Sequence, residues 1–243
     1  MAVFEHEYMV NMEKIGSKSN LITNKGLLNI FQDIGCLHSD VAGLGINDIP
    51  NTHLSWVVLH WKVKVLKRAK YGEILKVKTW SRSATKVHCY RDFAVYNKND
   101  ELVCMATSKW TLTNIEKKSL EKITDDIVTR YTPEEKYIFN TPEIEKLKEP
   151  TNNQILTYTF KVPRRDIDVN NHVHNLYYLD YAYEALPEEI YNQPEFNNLE
   201  IMYKTGAKLG NIVNCYYSNY DNSHFITLKS EDNSHLHAII KLS

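Results

Sequence analysis

Asp168, Asn170 and His172 stand at every second position inside the stretch PRRDIDVNNHVHNLYYLDYAYEALP, residues 163–187. An acid, an amide and an imidazole are the parts of a hydrolytic site. Imidazole is the one of these three side-chain types that titrates near neutrality, so His172 is the candidate general base. Asp168 could hold the imidazole or a water in orientation, and Asn170 could donate a hydrogen bond to a developing oxyanion. Just after the trio, Leu176, Leu179, Tyr183 and Leu186 recur three or four residues apart, which predicts a helix closed by Pro187. The trio therefore falls where an extended segment turns into a helix, and backbone amides near Val173 to Asn175 would add donors at the positive end of the helix dipole. Asp and Asn also favour turns and helix caps for local reasons, so the spacing alone does not decide for chemistry.

The elements that must carry this trio recur along the chain. Alternation in HEYMVNMEKI predicts a first strand, then a polar turn, GSKSN, with a helix cap at Thr23 or Asn24. Leu27, Ile30, Phe31, Ile34 and Leu37 form a helical stripe, and Gly43 and Gly45 mark the loop after it. Four runs rich in β-branched and aromatic residues follow: SWVVLHWKVKVL, EILKVKTW, KVHCYRDFAVY and LVCMATSKWTLTN. One helix followed by strands with short turns predicts an antiparallel sheet with the helix on one face. Residues 131–153 change character, with prolines and alternating charges that favour a solvated connector. Beyond it the pattern begins again with ILTYTFKV, the trio, its helix and further strands, and AKYGEIL from Ala69 matches AKLGNIV from Ala207. The expected organisation is an N-terminal domain over 1–130, a linker over 131–153 and a C-terminal domain over 154–243.

The string from Arg165 onward, with Asp166, Asp168, Asn170, His172, Val173 and Asn175 in place, resembles the signature of the acyl-acyl-carrier-protein thioesterase family. Thr79-Trp80, Arg91 to Phe93 and Ser108 to Trp110 extend the resemblance into the first half. It implies an α+β double hotdog, two helix-wrapping antiparallel sheets in tandem, that hydrolyses fatty acyl thioesters of acyl carrier protein in fatty acid biosynthesis. It further implies a pocket-forming first half and a catalytic second half. The first half carries Gly16 to Asn20 where the second carries its trio, and so has no acid or imidazole there. Ile30, Phe31, Ile34 and Trp56 are the expected lining of the far end of the acyl pocket. Lys161, Arg164 and Arg165 make a landing patch for an acidic carrier or its phosphopantetheine, with Arg165 the substrate-binding candidate. One departure stands out: where family members commonly have a Glu three residues after an aromatic, counting from Tyr203 gives Gly206. Either Asp168 and His172 suffice, or Glu200 or Glu184 approaches, or the enzyme is slow. An acyl-CoA thioesterase of the same fold and a non-catalytic acyl-binding module are the alternatives.

The bulk numbers exclude other classes. A chain of 243 residues, 43% hydrophobic and 24% charged with formal net charge -1, has no global field for nucleic acid. Cys36, Cys89, Cys104 and Cys215 are scattered without a C-x-x-C pair, and His172 and His174 lack a third ligand, so no metal or other cofactor is expected. The N-terminus lacks a basic n-region and an apolar h-region, and no apolar run approaches a membrane span. A cytoplasmic protein is expected, with association into a homodimer left open.

Overall fold

The computed structural model describes residues 2–168 and 170–243. Its contacts divide the chain into two units, residues 1–144 and 145–243. The first unit contains β1 (Phe4–Met9), α1 (Asn24–Val41), α2 (Ile49–Thr52), β2 (Leu54–Val65), β3 (Ile74–Ser81), β4 (Cys89–Tyr96), β5 (Leu102–Asn114), β6 (Ser119–Glu121) and α3 (Asp125–Arg130). Its antiparallel sheet runs β1-β3-β4-β5-β2, with β6 on the end of β5. Thr23 caps α1, its hydroxyl accepting from the Gly26 N–H at 3.0 Å. The stripe Leu27, Ile30, Phe31 and Ile34 is fully buried. Phe31 meets Trp61 of β2 and Phe93 of β4 at ring centroids 6.1 and 4.9 Å apart. Each such side chain stabilises the unit by roughly 1.5–3 kcal/mol when removed from water.

Composition suggested solvation for the segment after Tyr131, yet three backbone anchors fasten its first part to β3 and β4. The Glu134 N–H donates to Ser81 at 2.9 Å, the Trp80 indole donates to the Lys136 carbonyl at 3.2 Å, and the Ile138 N–H donates to the Asp92 carboxylate at 3.0 Å. Asp92 is fully buried with Arg82 3.6 Å away, and the Arg82 guanidinium also lies over the rings of Tyr90 and Tyr137. Local charge alternation could not reveal this, because the partners are some fifty residues distant in sequence.

The second unit contains β7 (Ile155–Lys161), α4 (Tyr177–Glu184), α5 (Glu188–Tyr191), β8 (Asn198–Tyr203), β9 (Ile212–Tyr220), β10 (Ser223–Ser230) and β11 (Leu236–Leu242). Its sheet order, β7-β9-β10-β11-β8, repeats that of the first unit strand for strand. Each half is thus a helix on an antiparallel sheet, the tandem hotdog arrangement. α4 buries Tyr178, Leu179, Tyr181 and Ala182, with Leu186 buried beyond its end. Tyr183, expected on the apolar stripe, is half-buried instead, and its hydroxyl donates to Glu195. A phenol needs a partner for its oxygen, and the rim supplies one. No helix among the described residues is long and apolar enough to cross a membrane.

The repeat extends to individual hydrogen bonds at the two strand-to-helix junctions. In the first unit Ile15 bridges Ile22, the Ile22 N–H donates to Ala69 at 2.9 Å, and the Gly72 N–H donates to Val10 at 2.8 Å. In the second, Ile167 bridges Val173, the Val173 N–H donates to Ala207 at 2.8 Å, and the Gly210 N–H donates to Val162 at 3.1 Å. Ala69 and Ala207 open the two A-K-x-G turns noticed in the sequence. Those turns are the docking points for the chain that leads into each helix.

Candidate active site

The trio lies on the loop between Ile167 and Val173, one residue shorter than its first-half counterpart. The Asp168 carboxylate accepts from the backbone N–H groups of Asn170 at 2.8 Å and His172 at 3.2 Å. The Asp168 N–H donates to the His172 carbonyl at 2.8 Å, and Asn171 takes a left-handed conformation with φ of 62°. The chain here is a tight loop closed on itself, and one oxygen of Asp168 serves its backbone. Asp168 thereby sets the direction of His172 through the main chain. Asn170 is exposed and its side chain makes no hydrogen bond among the described residues, which leaves its amide free to donate.

Two of the backbone donors expected for an oxyanion are already used. The Val173 N–H is bonded to Ala207, and the His174 N–H donates to Asp166 at 2.8 Å. The helix itself starts at Tyr177, farther from His172 than the sequence spacing suggested. The Val173 amide is consumed because the loop docks on the A-K-x-G turn, a long-range pairing that the local pattern does not encode, and the His174 amide closes the loop onto Asp166. Of the trio, Asn170 is the residue whose side-chain amide makes no hydrogen bond among the described residues.

His172 rests on Gly206. A Cβ placed on Gly206 would lie 2.7 Å from His172 Cδ2 and 3.2 Å from Cγ, a separation real Cβ atoms do not sustain. The absent side chain at this position, read in sequence as a missing carboxylate, is the space that the imidazole occupies. Around it, the Tyr178 hydroxyl accepts from the Ala207 N–H at 2.9 Å, and the Tyr203 hydroxyl donates to the Asn175 carbonyl at 3.0 Å. Burial pushes the Tyr178 phenol up to about 12 and Tyr203 well above its ordinary value, so both act as neutral hydroxyls. His237 of β11, 5% exposed, donates from Nδ1 to the Thr205 carbonyl at 2.7 Å. Tyr178 and His237 carried no periodic or spacing signal, Tyr203 served only as the aromatic from which the motif is counted, and Gly206 was visible only as an exception to that motif.

Arg165 is exposed and pairs with Asp166 at 3.4 Å. Asp166 is buried and accepts from the Tyr181 hydroxyl at 2.5 Å. Both line a cleft of about 450 Å³ with Tyr158, Tyr177, Asp180, Tyr181 and Glu184. Glu184 thus stands on the exposed side of α4, and Glu200 on β8 pairs in register with Lys241. Of the acyl-pocket candidates, Ile30, Phe31 and Ile34 are closed in the core of the first unit. Trp56 belongs to a different cluster with Leu44, Leu112, Ile123, Ile127 and Tyr131, and its indole donates to the Tyr131 hydroxyl at 2.9 Å.

Residues 1–131 match the family model of the acyl-ACP thioesterase N-terminal domain, and residues 148–242 match that of the C-terminal domain. The chain is 25% identical to oleoyl-acyl carrier protein thioesterase 1, chloroplastic, of Arabidopsis thaliana, over 86% of this chain and 62% of that protein. It is 28% identical to palmitoyl-acyl carrier protein thioesterase, chloroplastic, of Cuphea hookeriana, over 83% of this chain and 51% of that protein. The chain therefore spans less than two thirds of either plant relative. Among solved structures, it superposes on an acyl-ACP thioesterase from Bacteroides thetaiotaomicron with a TM-score of 0.86, 19% identity, and coverage of 99% of this chain and 96% of that one. The 12:0-ACP thioesterase from Umbellularia californica gives a TM-score of 0.85 at 20% identity, with the same coverage.

Proposed function

Because the chain belongs to the acyl-ACP thioesterase family, we propose that it hydrolyses the thioester of fatty acyl-acyl-carrier protein and releases free fatty acid. The observation that carries this reading is the Asp168-ordered loop that holds His172 against Gly206. His172 takes a proton from water as the water oxygen attacks the thioester carbonyl carbon. Asn170 donates to the oxyanion that forms, a contribution of about 3 kcal/mol for donors of this kind. The carbon–sulfur bond then breaks, and the imidazolium returns its proton to the leaving thiolate. The products are a free acid and the carrier's thiol.

Lys161, Arg164 and Arg165 are all exposed just ahead of the loop, which supports an acidic carrier protein as the partner. The cytoplasm is the proposed compartment, supported by four cysteines that are all free thiols. In the first unit, Ile30, Phe31, Ile34 and Trp56 are proposed to limit the length of the acyl tail, since each buried CH₂ contributes about 0.8 kcal/mol. Ile34→Trp and Phe31→Ala should each shift the preferred chain length, and an unchanged preference in both removes this part of the proposal.

The test of the activity is thiol release from purified protein given acyl-carrier-protein thioesters of several chain lengths, beside matched acyl-CoA esters. Release above background, faster from the carrier substrates, is the expected result. No thiol from any of them overturns the reading.

A further inference from the structure

The imidazole of His172 makes no hydrogen bond to any described residue, so its placement comes from the loop backbone and from the surface it rests on. That surface is Gly206, in the turn just after β8. Lys204, Thr205 and Gly206 are all exposed, and short exposed turns at strand ends are where a fold opens first. The start of β11 clamps them: the Thr205 N–H donates to the Leu236 carbonyl at 3.2 Å, and buried His237 makes two further bonds. His237 accepts the Lys204 N–H on its carbonyl at 2.9 Å and donates from Nδ1 to the Thr205 carbonyl at 2.7 Å.

The first unit has the same frame without the clamp. There the position before Ala69 is Arg68, and its guanidinium donates to the Ile22 carbonyl at 2.9 Å and to Asn24 Oδ1 at 3.0 Å. The residue accepting the strand-end N–H is Val103, which receives Leu66 at 2.8 Å. With Arg68 fastening the first corner, the side chain at position 103 is apolar. The second unit departs at both places, with Gly206 for Arg68 and His237 for Val103. His237 carries a cost as well, since its Nε2 is buried with no hydrogen-bond partner among the described residues. With no counterpart of Arg68 beside it, His237 is the side chain that fastens the second corner, at the turn on which His172 rests.

We infer that His237 is a positioning residue for His172, acting through the Thr205–Gly206 peptide: its Nδ1–H holds the Thr205 carbonyl, and the bare Cα of Gly206 then presents a fixed seat to the imidazole. This deepens the hydrolase reading and rests on it for the consequence in turnover. It makes no contact with substrate necessary.

Two amide variants separate the atoms of His237. Asn places its Nδ2 donor where Nδ1 lies, whereas Gln reaches the Nε2 position. With ¹³C-labelled histidine, the His172 ring signals, assigned by their loss in His172→Ala, are read in the wild type, His237→Asn and His237→Gln. His237→Asn should leave them in place and keep turnover. His237→Gln should shift or broaden them and lower kcat by roughly 10- to 100-fold with KM held, the size of loss that misplacement by about an ångström causes. Should His237→Gln fail to fold, His237→Val, which copies the first unit, is read in the same way. Unchanged His172 signals in folded His237→Gln, or in His237→Val where it stands in for Gln, overturn the inference, as does retention by Gln with loss by Asn. The ring signals need no substrate, so a wild type that releases no thiol defeats the hydrolase reading while leaving the positioning to be judged on its own.

Discussion

The two strand-to-helix junctions share a hydrogen-bond frame and differ in what fills it. In the first, Arg68 satisfies Ile22 and Asn24, and Asn24 is 1% exposed with its amide oxygen bonded. In the second, Gly206 stands in the place of Arg68, and Asn175, the counterpart of Asn24, has a buried Oδ1 without a partner. In the first corner the amide oxygen of Asn24 is paired. The other leaves polar atoms unpaired and a seat for an imidazole. Duplicated backbone pairing supplied the scaffold twice, and exchange of a side chain for glycine made room for chemistry once.

The largest effect that could break this contrast lies at His172 and its counterpart Leu21, each the residue before the bridging position. His172→Ala should reduce turnover by about 100- to 10,000-fold, the range for loss of a general base. Leu21→Ala should retain wild-type turnover in the same thiol-release assay. Equal losses at both would mean that the site is not confined to one junction.

Next in size is Gly206→Ala. Its methyl group would press on the edge of the His172 ring, and turnover should fall on the order of 100-fold, as for an ångström-scale misplacement. The melting temperature should change far less than that loss would suggest if the protein merely unfolded. Turnover at the wild-type level in a folded variant would show that the seat is not specific.

A smaller effect sharpens the comparison without any assay of activity. Asn24→Leu strands the donors of Arg68 and should destabilise the protein by roughly 1–3 kcal/mol. Asn175→Leu removes an amide oxygen that already lacks a partner, so its stability should equal or exceed the wild type. Denaturant unfolding of both variants reads the difference, and equal destabilisation would refute the asymmetry.

The smallest effect is a pH dependence at His237, for which the first unit's Val103 has no equivalent. Burial lowers the His237 pKa, His235 lowers it further, and the bond to Thr205 opposes both. The folded protein therefore binds this proton less readily than the unfolded chain does. Its contribution to stability is present above the unfolded pKa of about 6.5 and is lost as pH falls through the lower folded value. Unfolding measured from pH 7 downward should show this loss in the wild type and a shallower one in His237→Asn. Identical slopes would remove His237 as the source.

Much of the scaffold was legible because its signals are local. The cap at Thr23, the stripe Leu27, Ile30, Phe31 and Ile34, and the β-branched runs all express preferences acting within a few residues, and the structure places a helix and strands there. The placing of Tyr183 was not legible, because two faces of α4 carry large side chains and the choice between them depends on Glu195 across a turn. The anchoring of 134–138 to Trp80 and Asp92 was hidden for the same reason of distance.

The sequence by itself determined the candidate chemistry, an acid, an amide and an imidazole on one short loop, and the duplication of the unit that carries it. Both follow from residue type and spacing, which need no folded partner. Only the tertiary structure decided how the trio is held: that Asp168 serves its own loop, that Val173 spends its amide on docking and His174 on Asp166, and that Gly206 is the seat of His172. It also brought His237 to Thr205, a contact spanning 32 residues. Hydrogen bonds of that reach depend on strand register, and register is fixed by the packing of the whole sheet rather than by any stretch read alone.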